Sequence, residues 1–425
     1  MNIRGGAVIG AAIAGLGLVL IQGGKPEASQ APMIRNGEIG FVISSFHSAS
    51  VDDSAKPGAA CPEGLNLHPY ETAKEIAARG LPSPTAEAEA KYLQTPAGAP
   101  TPGGDIGRPP SERSGVMGPG QTNGIGYGAA VCLNPKLTKP DPLFKTVTGD
   151  VPVVGLDLDG QNTRAGGKAP AGGCAQQDFR GVGGDVYDAK GVDNQRYRVF
   201  GCIRGNQQES TSNGLQSEMI EGTWTVVFKL SGVDDLTNDD SVEVFMASSG
   251  DPLARNNTGA SRNRTYAYHP NARYQAKTTG RIVNGVLTTD PVDFTFTMRF
   301  FRDYIDNVMK GARFKIKISP DGEAAGILAG YSDVETFYHN FVLYGGGAFV
   351  SGSAAGANNL TCNGVYHALQ SMADGYRDPA SGRCTAISTQ YAVTATPAFI
   401  VAPEPGATAP GARVPPPAAM ASVAR

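Results

Sequence analysis

The chain has 425 residues, with 36 Lys and Arg against 39 Asp and Glu and a formal net charge of -3. That balance, without any basic stripe, argues against a nucleic-acid partner. Hydrophobic residues make up 40%, while Gly 56 and Pro 30 are abundant, so a buried core is attainable but long loops are expected.

In chain order, residues 1–31 read first as an export signal. Met1-Asn2-Ile3-Arg4 precedes an apolar run from Ala7 to Ile21, the grammar of a secretory leader. The run falls short of the roughly 20 residues of a membrane span. Cleavage is expected after Ser29-Gln30-Ala31; retention of 7–21 as an N-terminal anchor is the alternative. Either way the protein is expected to be exported: periplasmic, secreted or at the cell surface.

Residues 32–148 form a Pro/Gly-rich arm. It contains an extended stretch at Ile39–Ile43 and predicted short helices at Tyr70–Arg79 and Pro84–Leu93. A long loop of Pro, Gly and Ser lies between Thr95 and Gly128. From 149 to 402 the texture is that of strands, at Val151–Leu158, Arg196–Arg204, Gly222–Leu230, Ser241–Ala247, Gly280–Leu287, Val292–Phe301 and Ala312–Ser319. Turn signals Asn213-Gly214, Asn284-Gly285 and Pro320-Asp321-Gly322 punctuate them. A helical insert near 331–376 is predicted from Asp333–Leu343, with Val334, Phe337, Tyr338 and Phe341 on one face, and from Leu360–Met372. Cys384–Val401 reads as a final strand, and 403–425 as a Pro/Ala-rich disordered tail. The expected fold is mainly β: an antiparallel sandwich or jelly-roll-like core with a loop-rich N-terminal arm and a few peripheral helices.

Six cysteines, Cys61, Cys132, Cys174, Cys202, Cys362 and Cys384, are expected to form disulfides in an exported chain. The simplest connectivity joins sequence neighbours: Cys61–Cys132, Cys174–Cys202 and Cys362–Cys384. No Cys-x-x-Cys occurs, which argues against a zinc ribbon, a thioredoxin-type redox site and c-type haem attachment.

The densest chemistry lies between Gly155 and Gln195. It comprises Gly-Leu-Asp-Leu-Asp-Gly-Gln-Asn at 155–162, then Asp178, Asp185 and Asp188, then Gly-Val-Asp-Asn-Gln at 191–195. In an extended segment Leu156 and Leu158 face one way, and Asp157 and Asp159 the other, with Cα atoms about 7 Å apart. Two carboxylates that close repel, and a hard divalent cation relieves the repulsion. Asp157, Asp159, Gln161, Asp193 and Asn194 are therefore the candidate ligands of a calcium-type site, converging if 152–158 and 196–203 are neighbouring strands. Familiar calcium loops do not fit. In the EF-hand frame Asn162 holds the glycine position and Lys168 the final glutamate position. Gly-Val-Gly-Gly-Asp at 181–185 lacks the nonapeptide repeat, and Val186 breaks a dinucleotide fingerprint. The competing reading is that these residues cap turns.

Other candidates are weaker. Asp234, Asp235, Asp239 and Asp240 read as an exposed acidic hairpin loop. Glu335 and His339 share a helix face at i, i+4 and could serve as a metal or acid–base pair. The five histidines show no ligand spacing among themselves. No Gly-x-Ser-x-Gly elbow or Ser-x-x-Lys occurs. Tyr266, Tyr268, Arg273 and Tyr274 form a candidate contact surface for sugar or a partner.

Gly155-Leu-Asp-Leu-Asp-Gly, Gly191-Val-Asp-Asn-Gln and Ala329-Gly-Tyr-Ser-Asp-Val-Glu-Thr-Phe-Tyr-His resemble a pattern in exported bacterial proteins of unknown function, as do Asp378-Pro and Thr385-Ala-Ile-Ser. The resemblance implies one unit over about 61–400 and assigns no activity or site residue. The sequence thus leads to a calcium-stabilised binding or structural protein of the cell envelope, with carbohydrate or a surface component as partner. A secreted polysaccharide hydrolase using carboxylates at the same sheet end, and a membrane-anchored scaffold, are the alternatives.

Overall fold

The computed structural model describes residues 34–50, 58–67, 69–81, 132, 134–165, 174, 176–206, 210–221, 224–257, 259–300, 303–344 and 360–409. The leader, the helix predicted at Pro84–Leu93, the loop to Gly128 and residues 410–425 lie outside the described residues.

One sheet of eleven strands organises the chain. These are β1 Glu38–Ser48, β2 Thr225–Ser231, β3 Asp239–Ser249, β4 Arg264–Ala267, β5 Gln275–Val283, β6 Val286–Thr289, β7 Val292–Phe300, β8 Asp303–Ile318, β9 Ala324–Asp333, β10 Gly375–Arg377 and β11 Cys384–Val401. Pairing runs β1-β2-β3-β5-β6-β8-β9-β11, antiparallel throughout, and β11 returns to pair with β1. The mainly β, mostly antiparallel core expected from the sequence is present, and hydrogen bonds also join the two ends of this path into a ring of eight strands. The long strands make the closure possible by changing partners. β8 pairs first with β7 and then with β6 and β9; β11 pairs in turn with β10, β9 and β1, and its end runs parallel to β4.

A ring of this size is just wide enough for side chains to fill it. Val226, Phe228 and Leu230 of β2 enter the main core, while Val227 between them faces the other way. Phe228 stacks on Phe41 at 4.7 Å and meets Phe314 at 5.1 Å. Phe46 packs edge-on against Trp224, the single tryptophan, at 5.4 Å. The predicted strand Gly280–Leu287 is in fact a hairpin: Asn284 and Gly285 adopt φ of 51° and 75°, the left-handed pair that a tight turn demands. β9 lacked a strong strand signature because it is rich in small residues. At Gly326 an added Cβ would meet the Lys315 carbonyl oxygen at 2.1 Å, so close backbone approach, rather than β-branched bulk, defines that strand.

The helices add side chains to the main core: α1 Pro69–Ala78, α2 Gln195–Phe200, α3 Ser210–Ile220, α4 Val334–Phe337 continuing as a π-helix over Tyr338–Tyr344, and α5 Cys362–Met372. α1, α4 and α5 match the predicted helices. α2 replaces the strand predicted at Arg196–Arg204. Asn194 accepts the Tyr197 N–H and caps the helix start, and the apparent alternation of Tyr197 and Val199 is that of a short buried helix.

The disulfides are Cys61–Cys202, Cys132–Cys362 and Cys174–Cys384, which corrects the neighbour pairing. The chain after α2 turns back onto the arm, where Asn66 donates to the Cys202 carbonyl through both its N–H and its amide. Cysteines close in sequence are thereby carried to different partners. Cys132, from the arm, is fully buried in the main core, and the Tyr338 hydroxyl donates to its carbonyl. Three disulfides fit a non-cytoplasmic environment. Among the described residues no helix is long and apolar enough to cross a membrane.

Candidate metal centre

Val154, Leu156, Leu158 and Tyr187 lie on the outer face of β9 and β11. Leu156 and Leu158 pack there on Ile327, Ala329, Tyr331 and Ala386, so the alternation read from the sequence is real, with leucines inward and aspartates outward. A buried side chain fixes the segment's position. Gln390 of β11 accepts the Leu156 N–H at 2.8 Å and donates to the Leu156 carbonyl and to the Asp193 carbonyl. The Asp193 N–H donates to the Leu156 carbonyl as well, at 3.1 Å. Sequence positions 156 and 193 are thus joined around one amide.

This arrangement brings carboxylate oxygens of Asp157, Asp159 and Asp193 within 4.8 Å of one another. Backbone N–H groups hold one oxygen of each. Asp157 Oδ1 accepts from Gly160 at 2.7 Å, Asp159 Oδ1 from Gln161 at 2.8 Å, and Asp193 Oδ2 from Leu158 at 2.6 Å and Asp159 at 3.3 Å. The second oxygens of Asp157 and Asp159 carry no hydrogen bond to a described residue, while Asp193 also meets the Asp178 carboxyl. Gly191 lets the two halves meet. Its φ is 68°, and a Cβ there would lie 2.4 Å from the Gln161 carbonyl oxygen and 2.9 Å from Asp157 Oδ2.

More acid surrounds the triad. Asp188 accepts the Asp157 N–H at 2.9 Å and pairs with Lys315 at 2.8 Å. Asp178 accepts the Thr163 N–H at 2.7 Å. Asp374, just beyond α5, accepts the Ser388 N–H at 2.7 Å, while its Oδ2 is sealed from solvent without a hydrogen-bond partner. Burial and then neighbouring negative charge push these groups upward: Asp157 to about 6, with Asp159 and Asp188 contributing, and Asp374 to about 7, with Asp178 contributing. Asp193 is raised by burial and by the charge of Asp374, and Asp178 by burial and the charge of Asp159. Tyr331 is raised in the same way, by burial and then by Asp193 and Asp374. The centre is short of positive charge, and the buried acidic triad could bind a metal ion.

The route to convergence differs from the expected one. Positions 152–158 do not pair with 196–203; 152–153 run parallel to 180–181, and Phe179 bridges to Val192. Asn194 turns away from the triad, donating to the Ala49 carbonyl and capping α2, so it is not a ligand. Gln161 takes part through its N–H to Asp159. Asp185 pairs with Lys317 at the surface.

Sequence reasoning missed Asp374, Gln390 and Tyr331. The available signal for Gln390 is the polar run Ser388-Thr389-Gln390 inside a strand, all fully buried. Asp374 carries no spacing pattern.

Elsewhere the other candidates resolve into packing. Tyr266 and Tyr274 are 1% and 3% exposed. The Tyr266 hydroxyl accepts the Ala254 N–H, the Tyr274 hydroxyl donates to Asp306, and Arg273 pairs with Asp306. With two of the three tyrosines in the interior, Tyr266, Tyr268, Arg273 and Tyr274 do not form a continuous contact surface; the rings cover the sheet. Asp239 accepts the Asp234 N–H, and Asp235 that of Thr237, in an exposed turn before β3. Glu335 accepts from the Tyr366 hydroxyl at 2.7 Å and from Gln370 at 2.8 Å and pairs with Lys136 at 3.2 Å, which commits it to docking α5. No protein-family description, curated protein or solved structure matches this chain.

Proposed function

We propose that this is an exported binding or structural protein of the cell envelope in which calcium locks the 155–195 segment onto the β-sheet. The convergence of Asp157, Asp159 and Asp193 carboxylate oxygens within 4.8 Å carries the reading. All three ligands are oxygens on loop backbone, the donor type and flexibility that calcium accepts, whereas zinc favours nitrogen and sulfur. Calcium takes six to eight oxygens at roughly 2.3–2.6 Å, so oxygens from outside the triad must complete the shell. The disulfides support export. Envelope carbohydrate or another surface component is the partner class that goes with this reading.

The direct test titrates the protein with terbium and calcium. Tyrosine-sensitised terbium luminescence that calcium displaces, together with a melting temperature lowered by chelator, is the expected result. No luminescence and an unchanged melt would reject the site.

A polysaccharide-acting hydrolase is the second reading. Asp157, half-buried and raised to about 6, has the protonation behaviour of a general acid. Turnover of chromogenic glycosides that disappears in Asp157→Asn would favour it over the binding role.

A further inference from the structure

The outer row of β8 carries four bases, Lys310, Arg313, Lys315 and Lys317. Three have partners. Lys310 Nζ lies 5.0 Å above the Tyr376 ring, Lys315 is 2.8 Å from Asp188, and Lys317 is 3.2 Å from Asp185. Arg313 makes no hydrogen bond or ion pair with any described residue, and its Nε is sealed from solvent without an acceptor. A donor sealed from water without an acceptor is costly to maintain.

Register places this group beside the acidic centre. Arg313 is opposite Ala329 on β9, across a bulge that also sets Lys310 opposite Tyr331. Ala329 and Tyr331 belong to the outer face that receives Leu156 and Leu158, so Arg313 and Tyr331 are diagonal neighbours, about 7–8 Å apart at the backbone. The Tyr331 phenol lies within the fields of Asp193, Asp374 and Asp159, and of Arg313. Its hydroxyl donates to none of the described residues. Asp374 Oδ2, the unpartnered acceptor, belongs to the strongest charge acting on Asp193. Unpartnered donors on Arg313 and Tyr331 thus share the outer sheet face with the segment whose triad supplies too few oxygens for a calcium shell.

We propose that a cation at Asp157, Asp159 and Asp193 is one half of a ligand site, and that an oxyanion, a carboxylate or a phosphate, completes it while accepting from Arg313 and the Tyr331 hydroxyl. The inference rests on the cation reading above and adds the chemical class of the ligand. Guanidinium is suited to it, because its fork matches both oxyanions. An anionic ligand also supplies the missing oxygens and offsets the cation's remaining charge. Between the two sources, a uronic-acid unit would present the carboxylate, and free or esterified phosphate the alternative.

Calorimetry on the calcium-loaded protein, with free galacturonic acid (as its carboxylate) and inorganic phosphate as separate probes, tests this. At least one probe binds when calcium is present, and neither binds in chelator. Arg313→Gln weakens that binding at least tenfold while terbium affinity stays within twofold, and Arg313→Lys recovers part of the loss. If Arg313→Gln fails to fold, Tyr331→Phe takes its place, with the same expected direction. A terbium signal with no binding of either probe, or with binding indifferent to both substitutions, overturns the oxyanion seat alone. No terbium signal overturns the cation reading and this inference together.

Discussion

Gln390 on β11 holds Leu156, 234 positions earlier, through both backbone groups: its side-chain oxygen accepts the Leu156 N–H at 2.8 Å and its amide nitrogen donates to the Leu156 carbonyl at 2.8 Å. The contact imitates one rung of a β-ladder with a side chain in place of a strand. It is the point at which the ring of strands fixes the acidic segment, so the centre's geometry depends on a residue that is not itself acidic.

Gln390→Ala leaves the Leu156 N–H and the Asp193 carbonyl without a partner in a buried setting, while the Leu156 carbonyl keeps only the Asp193 N–H. The expected destabilisation is about 2–4 kcal/mol, read from urea unfolding, together with weaker terbium binding. A variant that unfolds like the wild type and binds terbium equally well would show that the segment is held by its leucines alone.

The chelated protein is expected to lose stability as pH rises from about 4 to 9. Asp157, Asp374 and Asp193 have folded-state values of about 6, 7 and 9, above the usual carboxylate value of 3.8. The fold therefore binds protons more tightly than the unfolded chain, and its advantage disappears as pH climbs through those values. Calcium substitutes for the protons above that window. Melting curves at pH 5 and pH 8, with and without calcium, should show the largest calcium effect at pH 8. An effect of equal size at both pH values contradicts this account.

Asp193→Asn separates the charge from the scaffold. The asparagine oxygen can still accept the Leu158 and Asp159 N–H groups that Asp193 Oδ2 accepts, while the carboxyl that is held protonated to about 9 without a cation, and would ionise to bind one, is removed. Without calcium at pH 8 the variant should melt no lower than the wild type. Its calcium-induced rise in melting temperature should be absent. A fall in the chelated melt would mean that Asp193 is needed for the fold itself.

Gly191→Ala forces a Cβ against the Gln161 carbonyl and Asp157 in a left-handed backbone. A cost of about 1–3 kcal/mol is expected from the conformation alone. Because Asp157 must move, terbium affinity should fall with stability, unlike in a substitution that merely loosens a distant loop.

Peptide mapping without reduction should recover Cys61 with Cys202, Cys132 with Cys362 and Cys174 with Cys384. The bridges span 141, 230 and 210 positions, and long closed loops restrict the unfolded chain most. Replacing both Cys132 and Cys362 by alanine is expected to cost about 2–5 kcal/mol, measured by denaturant unfolding.

What the sequence determined by itself follows from local physics. Alternation placed β2 and β11, helical spacing placed α4 and α5, and turn chemistry marked Asn284-Gly285, because each depends on residues a few positions apart. The leucine–aspartate alternation at 156–159 likewise showed which side chains would face outward. The tertiary structure decided the rest. It turned 195–200 into a helix, because Asn194 caps it and the core accepts its buried face. It sent each cysteine to a distant partner, because the ring carries sequence neighbours apart. And it joined Asp157 and Asp159 to Asp193 through Gln390, a meeting set by the registry of β11 against a segment more than two hundred positions away, for which no local pattern exists.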